Sequence, residues 1–229
     1  EMRDVYGLSF EEIPLHVPSQ RVVLPTRFFA TNAAKYHAIA SDVVLVRELG
    51  RAVLIGTASI SVSETLAEEL ESQNIECQLL YGLQNASEAE TISRAGHPCG
   101  VTITTNLAGC GTDIHLHPEV RAKGGLHVII AECQESSRLD RQIMGRCARQ
   151  GDPGSTQAYT SAEDSLIAVH GPWLANELLQ DADETGEAFS DFSPQLRRIQ
   201  AAIEDQKYSS RIDIPNRDCA RDSLLKSVR

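Results

Sequence analysis

No apolar stretch in the sequence approaches the roughly 20 residues that a membrane-spanning helix requires, which excludes such a helix. The six cysteines, at 77, 99, 110, 133, 147 and 219, include no C-x-x-C pair, so neither a zinc knuckle nor a thioredoxin-type site is indicated. Free thiols in a reducing cytoplasm are the simpler account. No basic-then-apolar leader follows Glu1, and a chain that opens on glutamate is expected to be a piece of something longer. Positive charge is scarce: 21 Lys+Arg stand against 32 Asp+Glu, a formal net charge of −11. Broad, non-specific nucleic-acid binding needs phosphate-neutralising cations, and this balance disfavours it. Only Lys35, Lys123, Lys207 and Lys226 are lysines; the other basic residues are arginines, which grip phosphate or carboxylate bidentately. The base composition of a genome would give the same skew, so local clustering has to decide. There is no internal repeat.

What is present is ordinary globular composition: 229 residues, 41% hydrophobic and 23% charged, ample for a packed core. Residues 1–30 read as extended and are punctuated by Pro14, Pro18 and Pro25. Thr31 opens a predicted helix reaching Glu48, stopped by Gly50. Ala52–Gly56 reads as a buried strand. Ser61-Val62-Ser63-Glu64 has the S-x-x-E capping pattern, and Val62, Leu66 and Leu70 follow on one helix face. Further strands are predicted at Cys77–Tyr81, Val101–Thr105, Leu126–Ile130 and Gln157–Thr160. Helices are predicted around Ser87–Ala95 and from Ser136 to about Arg146. This alternation is the mark of an α/β layer with a parallel sheet. Ligands on such sheets bind in loops at the carboxyl ends of strands, so the segments after Thr105 and around Arg146–Gly154 carry the most information. Beyond Ser161 the pattern changes. Asp181–Glu187 is acidic and reads as a solvated loop. Residues 194–229 have partly helical spacing (Leu196, Ile199, Ile203), and Pro215 is expected to interrupt a helix there.

Two segments carry chemistry. In Thr105-Asn106-Leu107-Ala108-Gly109-Cys110-Gly111-Thr112-Asp113-Ile114, Gly109 and Gly111 permit close backbone approach to a ligand, and Asp113 can accept from a ribose hydroxyl or a ligand-bound water. A tight strand-exit loop without a ligand would look the same. In Ser136–Ser155, a helix that continued would put Gln142, Arg146, Arg149 and Gln150 at i, i+4, i+7 and i+8, on one face. Two guanidinium groups and two amides on one face suit a polyphosphate. A surface helix with solvated charges is the bland alternative. Gly145 weighs against it, because glycine inside a helix costs about 1 kcal/mol relative to alanine.

Together these segments resemble the last motifs of the second RecA-like lobe of helicase-type ATPases. The T-N-x-A-G-x-G-T-D-I string, Gly124–Ile129, Glu135-Ser136-Ser137-Arg138 and G-R-x-x-R-Q-G-D-x-G-S are similar to SecA, the bacterial preprotein translocase motor. So are Ile55–Ser61, Tyr159–Asp164 and Leu24-Pro25. The resemblance covers about residues 6–168 well and 195–229 weakly. It implies a RecA-like (P-loop NTPase) lobe with a parallel sheet and helices on both faces, plus a mainly helical appendage. The implied division is an extended entry segment (1–30), the second motor lobe (31–168), and an appendage resembling the start of the SecA scaffold (169–229).

The resemblance also implies ATP with Mg as cofactor, lying between two lobes of the parent. No G-x-x-x-x-G-K-[ST] string is present, so the lobe holding most of the metal contacts is expected to be missing and the chain alone is not expected to hydrolyse ATP. By the motif match Asp113 contacts nucleotide, Arg146 and Arg149 are the phosphate-sensing, catalytic arginines, and Gln150 and Gly151 adjoin them; Gly109 and Gly111 complete the binding turn. No metal ligand is implied. The partners implied are the first RecA-like lobe, a preprotein and a membrane translocation channel, with no nucleic acid. The location implied is cytoplasmic, peripheral at the inner face of the bacterial plasma membrane. The chain departs from the family where Cys110 replaces an arginine between the two glycines, where Met144 replaces the arginine before G-R, and where Tyr81–Ala89 keeps only the end of the N-A-K-x-H-x-x-E-A element. Two alternatives stand beside the motor lobe: the second lobe of a superfamily-two nucleic-acid helicase, and a degenerate, non-hydrolysing docking module. His115, His117 and His127 could form a metal site but are more simply surface residues. Trp173 is expected to anchor the packing of the C-terminal appendage.

Overall fold

The computed structural model describes residues 7–9, 11–81, 94–105 and 113–227, with side chains described as far as residue 211. Seven strands carry the fold: β1 (Gln20–Val23), β2 (Arg27–Phe29), β3 (Val53–Thr57), β4 (Gln78–Leu80), β5 (Val101–Thr105), β6 (Leu126–Ile130) and β7 (Pro153–Ser161). Their order is β1-β7-β6-β3-β5-β4, with β2 pairing β7 further along, and every pairing is parallel. The extended entry segment thus contributes two strands to the sheet. Gly125 permits the close start of β6 beside β7: it sits at φ +71°, and a Cβ there would lie 1.8 Å from the Pro153 carbonyl oxygen.

Neighbouring strand residues feed opposite faces, as the pleat requires. Val53, Ile55, Val101, Ile103, Ile129 and Tyr159 join one core. Leu54, Leu126, Val128, Ile130 and Ala158 join the other. Helices α1 (Asn32–Glu48) and α2 (Ile60–Ser72) cover the first face through Tyr36, Ile39, Val43, Leu66 and Leu70. The second face is covered by α3 (Pro118–Ala122), α4 (Ser137–Met144), α5 (Ser165–His170), α6 (Pro172–Asp181) and the start of α7 (Ser193–Ser227). This is the α/β architecture read from the alternating pattern.

Thr31 caps α1 as expected, its hydroxyl accepting from the Ala34 N–H at 3.2 Å. Four expectations need correction. The cap of α2 is Ser59, not Ser61: its hydroxyl accepts from Val62 N, and the helix starts early enough for the Ser63 and Thr57 hydroxyls to meet at 2.6 Å. Asp181–Glu187 is not a solvated loop. Asp183 closes it by accepting from Thr185 N, Thr185 Oγ1 and Glu187 N, and Glu187 takes Arg27 bidentately at 2.7 and 2.6 Å. Trp173 anchors nothing; it is 44% exposed, and Leu174 and Leu178 make the packing instead. Helix α7 runs through Pro215 without a break. A proline costs an interior helix one hydrogen bond and a steric clash, which a 35-residue helix absorbs. The helix predicted around Ser87–Ala95 falls almost wholly on 82–93, outside the described residues.

Candidate functional site

The site is built where three chain segments meet. Helix α4 is capped by Ser136 and ends at Met144, with Gly145 as its C-cap. The helix, read to about Arg146, stops two residues earlier and does not continue, so Gln142, Arg146, Arg149 and Gln150 do not share a helix face. Past Gly145 the chain turns sharply: Ala148 (φ 55°), Gln150 (φ 53°) and Gly151 (φ +83°) all take left-handed backbone. For the two non-glycine residues this costs about 1–2 kcal/mol each, so the surroundings must hold the turn in place.

They do so at several points. Arg21 donates to the Cys147 carbonyl at 3.1 Å, and the Gln20 amide donates to the Gly151 carbonyl at 2.8 Å. Arg121 of α3 pairs with Asp152 at 2.7 Å. Gly154 lets the turn lie against the sheet, since a Cβ there would be 3.0 Å from both Ala148 N and Cys147 Cβ. Gln20, Arg21, Arg121 and Gly154 thus frame the turn. Gly154 belongs to the matched string, but no motif pointed to Gln20, Arg21 or Arg121; the register of β1 on β7 places the first two, and the pair with Asp152 places Arg121.

Asp113 comes to this turn from the far side. One carboxylate oxygen accepts from the Arg149 guanidinium at 3.0 Å and the other from the Gln150 amide at 3.1 Å. Arg149 also donates through Nε to the Gly145 carbonyl at 2.8 Å, tying it to the end of α4. The Asp113 and Arg149 side chains are 32% and 38% exposed. An ion pair so open to water contributes about 0–1 kcal/mol and opens readily for a stronger anion. Arg146 lies half-exposed in the same turn, its N–H bonded to the Ile143 carbonyl at 2.9 Å. Gly151 closes the turn. Gly109, Cys110 and Gly111 fall within 106–112, outside the described residues.

The site also sits elsewhere than the general rule for open α/β sheets suggests. It lies beside the amino-terminal starts of β1 and β7, not over the carboxyl ends of the strands. The early stop of α4 brings the arginines down the sheet face, and Asp113 lies on the segment returning towards the start of β6. Next to it is a cleft of about 670 Å³ lined by Leu15, His16, Val17, Arg21, Arg149 and Gln150.

Among the described residues no group of three or more His, Cys, Asp or Glu is placed to hold a metal ion. His127 is buried against Ser155 Oγ at 2.8 Å, and burial pushes its pKa down to about 4, so it is neutral. His117 caps α3.

The parallel α/β lobe that carries this turn is of the P-loop class, as comparison with known families shows. The SecA P-loop domain model matches residues 18–120 and 115–185. The chain is 48% identical over 167 residues to the protein translocase subunit SecA 2 of Magnetococcus marinus, covering 73% of this chain and 26% of that protein. It is 38% identical to the SecA subunit of Cytophaga hutchinsonii, covering 92% of this chain and 19% of that protein. Against SecA 2 of Rhodopirellula baltica it is 34% identical, covering 100% of this chain and 35% of that protein. The chain belongs to the SecA family, and its lobe is RecA-like. It spans between about a fifth and a third of the length of these relatives. Among the described residues no helix is long and apolar enough to cross a membrane.

Proposed function

We propose that this lobe is the second nucleotide-binding half of a SecA-like motor that couples ATP binding and hydrolysis to preprotein movement. The observation that carries the reading is the joint grip of Arg149 and Gln150 on Asp113, at 3.0 and 3.1 Å. It makes a guanidinium, an amide and a carboxylate one polar unit beside a second arginine, Arg146. Guanidinium and amide donors fit a polyphosphate, and an arginine placed on the terminal phosphate neutralises charge that develops during its transfer. Asp113 holds Arg149 until a phosphate competes for it, then accepts from a ribose hydroxyl. Gly109, Gly111 and Gly151 would let backbone approach the ligand closely. The donor set does not fit a metal: both oxygens of Asp113 are already engaged. Magnesium would be held by the first lobe of the full-length protein, as would the phosphate-cradling loop this sequence lacks. The partners would be that lobe, a preprotein and a membrane channel, at the cytoplasmic face of the membrane.

In the full-length protein, Arg149→Ala is expected to lower the ATPase kcat by about a thousandfold or more, the scale of a lost arginine finger. The isolated chain is expected to show no sustained, magnesium-dependent turnover; turnover by the fragment would overturn the half-site reading. Cys110 and Met144, where the resemblance to SecA implies arginine, favour a second reading as a docking module without catalysis. Cys110→Arg decides between them: a faster ATPase marks a weakened motor, and no nucleotide response in either form marks a scaffold.

A further inference from the structure

Helix α4 links two places that the reading above does not connect. Its carboxyl end runs into the Arg146–Gly151 turn. Its amino-terminal half is held by three polar residues of α7, Gln200, Glu204 and Lys207. Gln200, 5% exposed, donates its amide to the Asp140 carboxylate at 2.7 Å and to the Gln134 carbonyl at 2.8 Å. Asp140, 7% exposed, takes its other bond from Gln134 N at 2.9 Å. One turn on, a Glu204 oxygen accepts from Ser136 Oγ at 2.6 Å and Ser137 N at 3.1 Å. Lys207 pairs with Glu135. Residues 200, 204 and 207 stand at i, i+4 and i+7, so one face of α7 grips one end of α4.

Beneath this face, Leu196, Ile199 and Ile203 enter the same core as Ile143. Near its carboxyl end, α4 rests on β3 where Gly56 makes room: a Cβ there would stand 2.8 Å from Ile143 Cγ2. Eight residues of helix span about 12 Å and bend little. A displacement at one end must therefore move the other.

We propose that Asp140 and Gln200 form a latch through which α4 transmits movement of the Arg149 turn to the long helix α7; both act as positioning residues. The inference rests on the proposed nucleotide reading, since a phosphate that draws Arg149 from Asp113 and from the Gly145 carbonyl is what moves the turn. The latch is closed while Arg149 is held by Asp113. Drawing Arg149 away pulls the carboxyl end of α4, and the latch resists. Binding energy is thereby spent on α7, which is the reciprocal coupling that allostery requires. The buried polar pair suits this role: it is satisfied only in one register of α7 on α4, whereas an apolar contact would tolerate sliding.

The test uses the full-length protein, a non-hydrolysable ATP analogue and two readouts: analogue affinity and hydrogen exchange of residues 196–207. In the native protein the analogue is expected to change exchange in that stretch severalfold. Gln200→Glu sets two carboxylates face to face and should abolish the response. It should also tighten analogue binding about fivefold, because the ligand no longer works against the latch. Mere structural damage would weaken binding instead. Asp140→Asn with Gln200→Glu restores the donor–acceptor bond between the two side chains with reversed polarity, though not the bond to the Gln134 carbonyl, and should recover at least half of the response. Glu204→Ala, a milder lesion, should roughly halve it. A full response in Gln200→Glu, or a lost response that the paired variant fails to recover, overturns the latch. Analogue binding without any response of α7 in the native protein also overturns the latch and leaves the nucleotide reading standing. No analogue binding at all overturns both.

Discussion

At the residue scale, two buried titratable groups give opposite pH signatures. His127 is depressed from 6.5 to about 4 by burial and by the nearby Arg51. Its neutral form therefore contributes stability that is complete above pH 6.5 and is lost as pH falls towards 4. Asp140 is raised from 3.8 to about 6, chiefly by burial, against bonds from Gln134 and Gln200 that favour its ionised form. Its contribution is complete below pH 3.8 and is lost as pH rises through 6. The two act over the same window and offset each other, so single variants separate them in urea midpoints between pH 4 and 6.5: His127→Gln should leave stability falling as pH rises towards 6, and Asp140→Asn should leave it falling as pH drops towards 4. Asp113 and Arg149 were legible in the sequence because glycine-bracketed and arginine-bearing strings mark them. Gln20, Arg21 and Arg121, which frame their turn, were not. Each acts through a contact at least 30 residues distant in sequence, and no local pattern encodes it.

At the element scale, β5 and β6 begin and end where the pattern placed them because both are fully buried, whereas β1, exposed along most of its length, was read only as extended chain. The helix read to about Arg146 ends at Met144, and the shared face that a continuing helix would give is absent, because helical spacing runs past Gly145 in the sequence while the backbone does not. Nothing in residue types foretells left-handed alanine and glutamine; burial of Cys147 against Gly154 forces them. The acidic stretch 181–187 was misread for a similar reason, since its charge is answered by Arg27, which lies far away in the chain and stacks near Phe29 and Tyr159. Gly56 gives the clearest test of how α4 is seated. Gly56→Ala should push Ile143 outward and cost about 1–3 kcal/mol as an overpacked contact. The matching observation is a lower Tm together with faster hydrogen exchange over 137–144. An unchanged Tm and exchange would mean that α4 does not rest on β3 so closely.

At the scale of the whole molecule, charge and topology point the same way. A net charge of −11 offers little to a phosphate backbone, and the clustered Arg146 and Arg149 fit the local anion proposed above. A titration with single-stranded RNA at low salt is expected to show no tight binding; affinity that is strong and falls steeply with salt would favour the helicase alternative. The long helix is part of the lobe's own core. Ile203 is buried in it, and Ile203→Ala should cost about 2–5 kcal/mol in urea unfolding, as for other large-to-small core changes.

The central claim is that Arg149 leaves Asp113 for the terminal phosphate of a bound nucleotide. It is tested most directly by titrating the full-length protein and its Arg149→Ala variant with ADP and with the non-hydrolysable ATP analogue. The account predicts that the native protein distinguishes triphosphate from diphosphate and that the variant binds both alike while keeping its ADP affinity. A variant that still prefers the triphosphate to the same degree would contradict it.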